Sequence, residues 1–210
     1  MLSVNRLVAP EILDGLDAAD ERAVRSRRDL RLVNWFMRGE EWILSELRKI
    51  QGLKRVVDLG AGSGCLANAI VREIPGLEVE CVDLASQPLH LDPRITWWQG
   101  DVCDYEGYDS QTVVVANLFL HHLDPTQLES LGARMQELRG VLAAEPYRGV
   151  AGLMMSRFLF PFVNEVTRHD MVVSIRAGFK HSELAAMLGL DFSWHEKRGL
   201  FGGIRLKGIK

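Results

Sequence analysis

From Pro10 to Ile50 apolar residues recur at steps of three and four among charged ones: Ile12, Leu13 and Leu16, then Leu30, Val33, Trp35, Phe36, Trp42, Ile43 and Leu47. That period is helical and predicts two or three amphipathic helices. Asp14, Gly15 and Asp17 interrupt the first stretch, and Arg38-Gly39-Glu40 is placed to bend or break the second. After Gly52 the pattern changes to short, β-branched-rich runs separated by helical stretches, the alternation of a parallel sheet with crossover helices. Strands are expected at residues 55–59, 79–83, 95–99, 112–118 and 141–145, and helices at 65–73 and 125–138. Val113-Val114-Val115-Ala116 carries no polar alternation, which predicts a central strand covered on both faces. Residues 182–188 have a capping serine and a helical composition, and 192–197 and 203–207 read as an antiparallel pair joined by a Gly-containing turn. The intervening stretch, 146–180, is too long for an ordinary connection and is expected to cap the site or serve it.

Composition changes this picture little. With 210 residues, 47 % hydrophobic and 25 % charged, the chain can bury a core, and disorder and coiled coil are excluded as descriptions of the whole. We read it as one domain, 1–210: a helical cap over 1–50, a core over 51–145, an insertion over 146–180, and a terminal helix and hairpin over 181–210. A formal net charge of -3 offers no summed attraction to phosphate polymers or anionic lipid, so no nucleic-acid partner is expected. The basic run from Arg25 to Arg31 reads as a solvated helix face. Cys65, Cys81 and Cys103 lack CxxC spacing and read as small buried hydrophobes in a reduced interior. No apolar run is long enough to span a bilayer and the first residues hold no signal-peptide core, so a cytoplasmic protein without stable membrane insertion is expected.

The chemistry concentrates where the first strand runs into Asp58-Leu59-Gly60-Ala61-Gly62-Ser63-Gly64. Glycines there let a ligand approach the backbone at a helix N-terminus, at the carboxyl end of a sheet strand where α/β proteins bind ligands. Two ligand classes compete, a dinucleotide and S-adenosylmethionine. The dinucleotide fingerprint wants a third glycine where Cys65 stands, and Asp58 would repel a pyrophosphate while suiting a cationic amino group or sulfonium. Asp83, with Leu84 after it, ends the second strand, where a carboxylate accepts from ribose hydroxyls. Asp101 and Val102 follow the third strand and offer a carboxylate and a backbone amide to an adenine.

The segments VVDLGAGSG, VECVDLA, WWQGDVCD, VVVANLFLHHLDP and VLAAEP, in that order, make the chain resemble the class I S-adenosylmethionine-dependent methyltransferases of the small-molecule branch, related to quinone-pathway and natural-product enzymes. The resemblance implies a seven-stranded, mostly parallel sheet with helices on both faces and the last strand antiparallel. It implies S-adenosylmethionine as cofactor, lying over the ends of the first two strands on Asp58, Gly60, Gly62, Gly64, Asp83, Leu84, Asp101, Val102 and Asn117, with the methyl group aimed at the end of the fourth. The segment after that strand, Asn117 to Leu123, lacks the NPPY or DPPY form typical of nucleic-acid and amide N-methylation.

Methyl transfer needs donor and acceptor held together and water excluded, with a base where the acceptor is a hydroxyl. His121 follows the fourth strand and is the leading candidate for that base or for an orienting donor. If the segment stays extended, His122 points elsewhere. His169 is the second catalytic candidate. Trp35, Arg168 and Arg176 are candidate acceptor contacts, with Phe36, Phe158, Phe160 and Phe162 as a possible-lid set of aromatics, and Thr167-Arg168-His169-Asp170 reads equally as a salt-bridged turn. No cluster of paired His/Cys ligands or acids demands a metal, so none is expected. The expected activity is methyl transfer to an oxygen (phenol, hydroxyl or carboxyl) or a carbon of a quinone- or polyketide-like small molecule, by a monomer or homodimer. The alternatives are a catalytically inactive S-adenosylmethionine sensor or partner protein and, more remotely, an NAD(P)-dependent dehydrogenase.

Overall fold

A computed structural model of the chain describes residues 5–17, 19–199 and 202–210. Seven strands form one sheet: β1 (Arg55–Leu59), β2 (Glu78–Asp83), β3 (Ile95–Gln99), β4 (Thr112–Asn117), β5 (Gly140–Pro146), β6 (Ser193–Arg198) and β7 (Gly203–Ile209), in the order β3-β2-β1-β4-β5-β7-β6. β1 pairs in parallel with β2 and β4, β2 with β3, and β4 with β5, whereas β7 runs antiparallel to both β5 and β6. Six strands therefore share one direction and β7 opposes them, as the resemblance implies. The strand order reverses between β1 and β4, and the carboxyl ends of these two strands flank the crevice where such sheets bind ligands.

The helices are α1 (Glu21–Met37), α2 (Gly39–Leu47), α3 (Cys65–Glu73), α4 (Pro125–Arg134), α5 (Val150–Leu159), α6 (Glu165–Ala177) and α7 (Glu183–Leu188). Alternate residues of the central strands feed two apolar layers. Val56, Val113 and Val115 pack with Ile43 and Leu47 of α2 and Leu66 and Ile70 of α3. Val57, Val114 and Ala116 pack with Leu128 and Leu131 of α4 and Leu184 and Leu188 of α7. This explains the unbroken apolar run of β4: both its faces are covered.

The departures from expectation have local causes. β4 stops at Asn117 because Leu118 takes a left-handed backbone, φ 55°. α1 and α2 are separated at Arg38, φ 51°, where a break or bend was expected. α4 is capped by Asp124 in a capping box with Gln127 and ends at Arg134, short of residue 138. The long excursion holds α5 and α6, and Thr167-Arg168-His169-Asp170 lies inside α6, not in a turn. Of the cysteines, Cys81 is buried as expected, but Cys65 is exposed at the start of α3. The turn joining β6 and β7 includes residues 200 and 201, outside the described ones. No helix among the described residues is long and apolar enough to cross a membrane.

Candidate active site

The glycine loop after β1 is built for close approach. Gly60, Gly62 and Gly64 all have positive φ, between 55° and 70°. A Cβ on Gly60 would lie 2.0 Å from the Phe119 ring, and one on Gly64 would lie 2.5 Å from Leu91, whereas above Gly62 the space is open. Asp83 at the end of β2 accepts hydrogen bonds from the Gly62 amide at 2.7 Å and from the Ala85 amide at 2.8 Å. Its carboxylate thus already sits against the loop where the ribose hydroxyls of a nucleoside would be read. Leu84 beside it is largely exposed. Asp101 lies partly buried after β3 and accepts from the Cys103 amide at 2.9 Å, and Val102 is buried between them.

Asp58 is 2 % exposed, and its Oδ2 is buried without a hydrogen-bond partner. Burial pushes its carboxyl well above the usual carboxylate range, and Glu40 of α2 and Asp83 push it further. Asn117, at the end of β4, has a buried Oδ1 that is likewise without a partner, pressed close to Gly39, where a Cβ would lie 2.2 Å from it. Two orphaned buried acceptors, a concentration of carboxylates and a glycine cradle open above Gly62 form a donor-hungry, cation-seeking site. These residues fit S-adenosylmethionine, whose amino group and sulfonium carry positive charge. Glu40 is the member that the sequence reading missed, since nothing near it signals that α2 folds back over β4 and β5.

The second half of the site lies past β4. Leu120–His122 form a 3-10 turn, not an extended segment, and the His121 and His122 rings stack, centroids 4.2 Å apart and tilted by 37°. The condition under which His122 would point away, an extended segment, is therefore not met. The turn is held by Glu145 of β5, fully buried, which accepts from the amides of Phe119, Leu120 and His121 and from His121 Nδ1 at 2.8 Å. The bond to Nδ1 orients the imidazole and leaves Nε2 facing away from the sheet. His121 is 3 % exposed, and Nε2 is buried with no hydrogen-bond partner.

Across from Nε2, at 3.9 Å, stands an oxygen of Glu11. Glu11 arrives on an N-terminal strap, residues 6–15, which is tied to α6 and to the turn. Leu7 donates to the Arg176 carbonyl, and the Ile12 and Leu13 amides donate to the buried Asp170 carboxylate at 2.8 and 3.1 Å. Arg6 donates to the carbonyls of Ala177, His121 and Leu123 and lies over the Phe179 ring. Ser174 of α6 donates to Glu11 itself. Burial by itself would lower the pKa of His121, but Glu11 and Glu145 outweigh it and raise the pKa to about 9. Burial and the neighbouring His121 lower that of His122, so the two rings differ in charge at neutral pH. Glu11, His121 and His122 each offer a ligand atom within 4.8 Å of the others.

The other expected acceptor contacts lie outside this cluster. His169, half exposed on α6, bonds Asp170 at 3.0 Å. Arg168 lines a crevice of about 420 Å³ with Arg22, Arg25 and Phe162. Trp35 is 67 % exposed and meets Phe36 edge to face, Phe158 and Phe162 are exposed, and Arg176 is exposed with only its carbonyl in the strap contact. Sequence reasoning missed Glu11 and Glu145. The second had a signal, an acid closing an otherwise apolar strand run, Val141 to Glu145. The first had none.

Known proteins agree with this geometry. The O-methyltransferase domain family matches residues 19–136, more than half of the chain. Over 51 residues the chain is 41 % identical to the ribosomal RNA small subunit methyltransferase C of Shewanella denitrificans, 24 % of this chain and 14 % of that protein. Among solved structures, an O-methyltransferase family protein from Burkholderia thailandensis superposes with a TM-score of 0.61 at 18 % identity, covering 92 % of this chain and 61 % of that one. The plantazolicin methyltransferase BpumL, in complex with a pentazolic desmethylPZN analog and SAH, superposes with a TM-score of 0.68 at 13 % identity over 91 % of each chain. The chain thus spans less than two thirds of the Burkholderia protein and matches a small fraction of the Shewanella one. With this sheet, this glycine loop and more than half of its length matched, the chain belongs to the O-methyltransferase domain family of class I, S-adenosylmethionine-dependent methyltransferases.

Proposed function

We propose that this protein transfers the methyl group of S-adenosylmethionine to an oxygen of a small-molecule acceptor. The observation that carries the reading is His121: a buried imidazole, fixed at Nδ1 by the buried Glu145, with Nε2 unpartnered beyond the end of β4. When bound, the cofactor supplies an electrophilic methyl group on a good leaving group, so the chain's residues need only bind, orient and exclude water. Asp83 is suited to the ribose hydroxyls, Asp101 and Val102 to the adenine, and Asp58 with Glu40 to the cationic amino end. Leu84 is exposed beside the nucleoside position, and Asn117 offers its orphaned oxygen between the two halves. His121 holds or orients the acceptor oxygen.

A small acceptor in place of a nucleic acid is favoured by the net charge of -3 and by the enclosure of His121. His169, Arg168, Arg176 and Trp35 remain in this reading as outer contacts for the distal end of the small-molecule acceptor, and the chain acts as a monomer or homodimer in the cytoplasm. The test has two parts. Calorimetric titration with S-adenosylmethionine should give a one-to-one isotherm, while NAD and NADP give none. A labelled-methyl assay over phenols, alcohols, hydroxy acids and carboxylic acids should find product with an oxygen acceptor. Cofactor binding without any transfer would leave a sensor protein, and nicotinamide binding would overturn the reading.

A further inference from the structure

Glu11 sits on a segment that holds no strand and no long helix, yet seven hydrogen bonds fix the strap against α6 and the β4 turn: those of the Leu7, Ile12 and Leu13 amides, one from Arg6 to Ala177, two from Arg6 to the turn, and that of Ser174 on Glu11. A segment held that firmly places the part-buried Glu11 carboxylate reproducibly. That carboxylate stands 3.9 Å from His121 Nε2, too far for a hydrogen bond, and Nε2 is otherwise orphaned inside the protein. The gap has a chemical meaning. An oxygen about 2.8 Å from both atoms would see them at an angle of about 90°, within the range a hydroxyl accepts when it receives one hydrogen bond and donates another.

We propose that Glu11 is an acceptor-binding catalytic residue that, together with His121 Nε2, forms the seat of the acceptor oxygen, and that this seat selects a hydroxyl over a carboxylate. The inference rests on the methyl-transfer reading and deepens it. Nε2–H donates to the oxygen and the hydroxyl donates to the Glu11 carboxylate, which leaves one lone pair of that oxygen for the methyl group; when the O–C bond forms and the S–C bond breaks, the sulfur would leave as a neutral thioether and the hydroxyl proton would pass to Glu11. A carboxylate acceptor would bring a second negative charge against Glu11 and has no hydrogen to donate to it. Because Nε2 is shut off from solvent beneath the strap, the acceptor enters when the strap lifts and is enclosed when it returns. The groups facing His121 from every side are consistent with a protonated ring in the closed state: Glu145 from β5, Glu11 and Asp14 from the strap, Asp170 from α6 beyond them, with the neutral His122 on its own turn and Arg6 held at the turn's carbonyls.

The experiment uses the full chain, labelled with 15N in its histidines and saturated with SAH. The His121 resonances, assigned with His121→Asn, are followed from pH 5 to 10 in the parent, in Glu11→Gln and in Asp170→Asn, which loosens the strap without touching Glu11. The parent should titrate near pH 9. Both variants should titrate at least one unit lower, with SAH affinity unchanged within about twofold. Should Glu11→Gln fail to fold, Asp170→Asn alone carries the test, and an unchanged midpoint in the folded variants overturns the proposal. Phenol, added as a simple hydroxyl probe, should shift the Nε2 resonance of the parent more than benzoate does, and should lose that effect in Glu11→Gln. No shift with phenol, or a larger one with benzoate, overturns the hydroxyl seat. Failure to bind SAH would count against the methyltransferase reading instead, since the titration of His121 is measurable without it.

Discussion

The two halves of the proposed site are made in different ways. The cofactor half is local: Asp58, Gly60, Gly62, Gly64, Asp83 and Asp101 sit at the ends of three strands or in the loops just after them, and strand pairing brings those ends together. The acceptor half is assembled over long chain separations. His121 depends on Glu145 from the next strand, on Glu11 from the N-terminal strap, and on Asp170 and Ser174 of α6, which hold that strap. A cofactor common to many enzymes can be bound by a portable local device, while the part that chooses an acceptor is put together from pieces that can change independently.

If that division is right, substitutions should separate cleanly. The largest effect belongs to His121→Ala, which removes the ring that Glu145 orients. Turnover should fall by about 10²-fold or more in the labelled-methyl assay, with SAH affinity little changed. A fall confined to cofactor affinity would erase the distinction between the halves. Next is Gly60→Ala, where a left-handed backbone and the Phe119 ring both resist a Cβ. SAH binding should weaken by about tenfold or more, and thermal unfolding should show whether the loop or the whole domain is disturbed.

The acceptor half should also carry a pH signature. The folded pKa of His121, about 9, lies above its unfolded value of about 6.5. Its pairing with Glu11 and Glu145 therefore stabilises fully below pH 6.5 and is lost as pH rises through 9. Melting temperature should decline across that window in the parent and decline less in His121→Asn. The smallest effect is expected from His169→Ala, because that ring is half exposed and bonds only Asp170. Turnover within about threefold of the parent would place it outside the chemistry, and a loss as large as that of His121→Ala would move the reacting centre onto α6.

How much could be read in advance follows from the same contrast. The glycine loop, the acids at the strand ends and the two-sided apolar run of β4 are signals within a few residues, and all lie where periodicity and turn chemistry place them. The antiparallel placement of β7 next to β5 came from the resemblance. Glu11 could not be read, because an acid in an irregular N-terminal segment looks like any solvated acid until α6 captures the strap. The direction of His122 hung on whether the segment stays extended: Leu118 turns left-handed and the chain coils into a 3-10 turn, which stacks two rings that an extended segment would have separated. Arg168 and His169 were drawn to the site by their chemistry, yet on α6 it is Thr167 and Asp170 that face inward, and these two are exposed.

In the proposed site, cofactor and acceptor are handled by separable sets of residues around one methyl transfer. Calorimetry with SAH on two folded variants tests this division most directly. Asp83→Ala removes charge-assisted hydrogen bonds and should cost roughly 1.5–3 kcal/mol of binding, about 10- to 150-fold in affinity. His121→Ala should bind SAH within about threefold of the parent. Equal losses in both variants, or undiminished binding by Asp83→Ala, would contradict it.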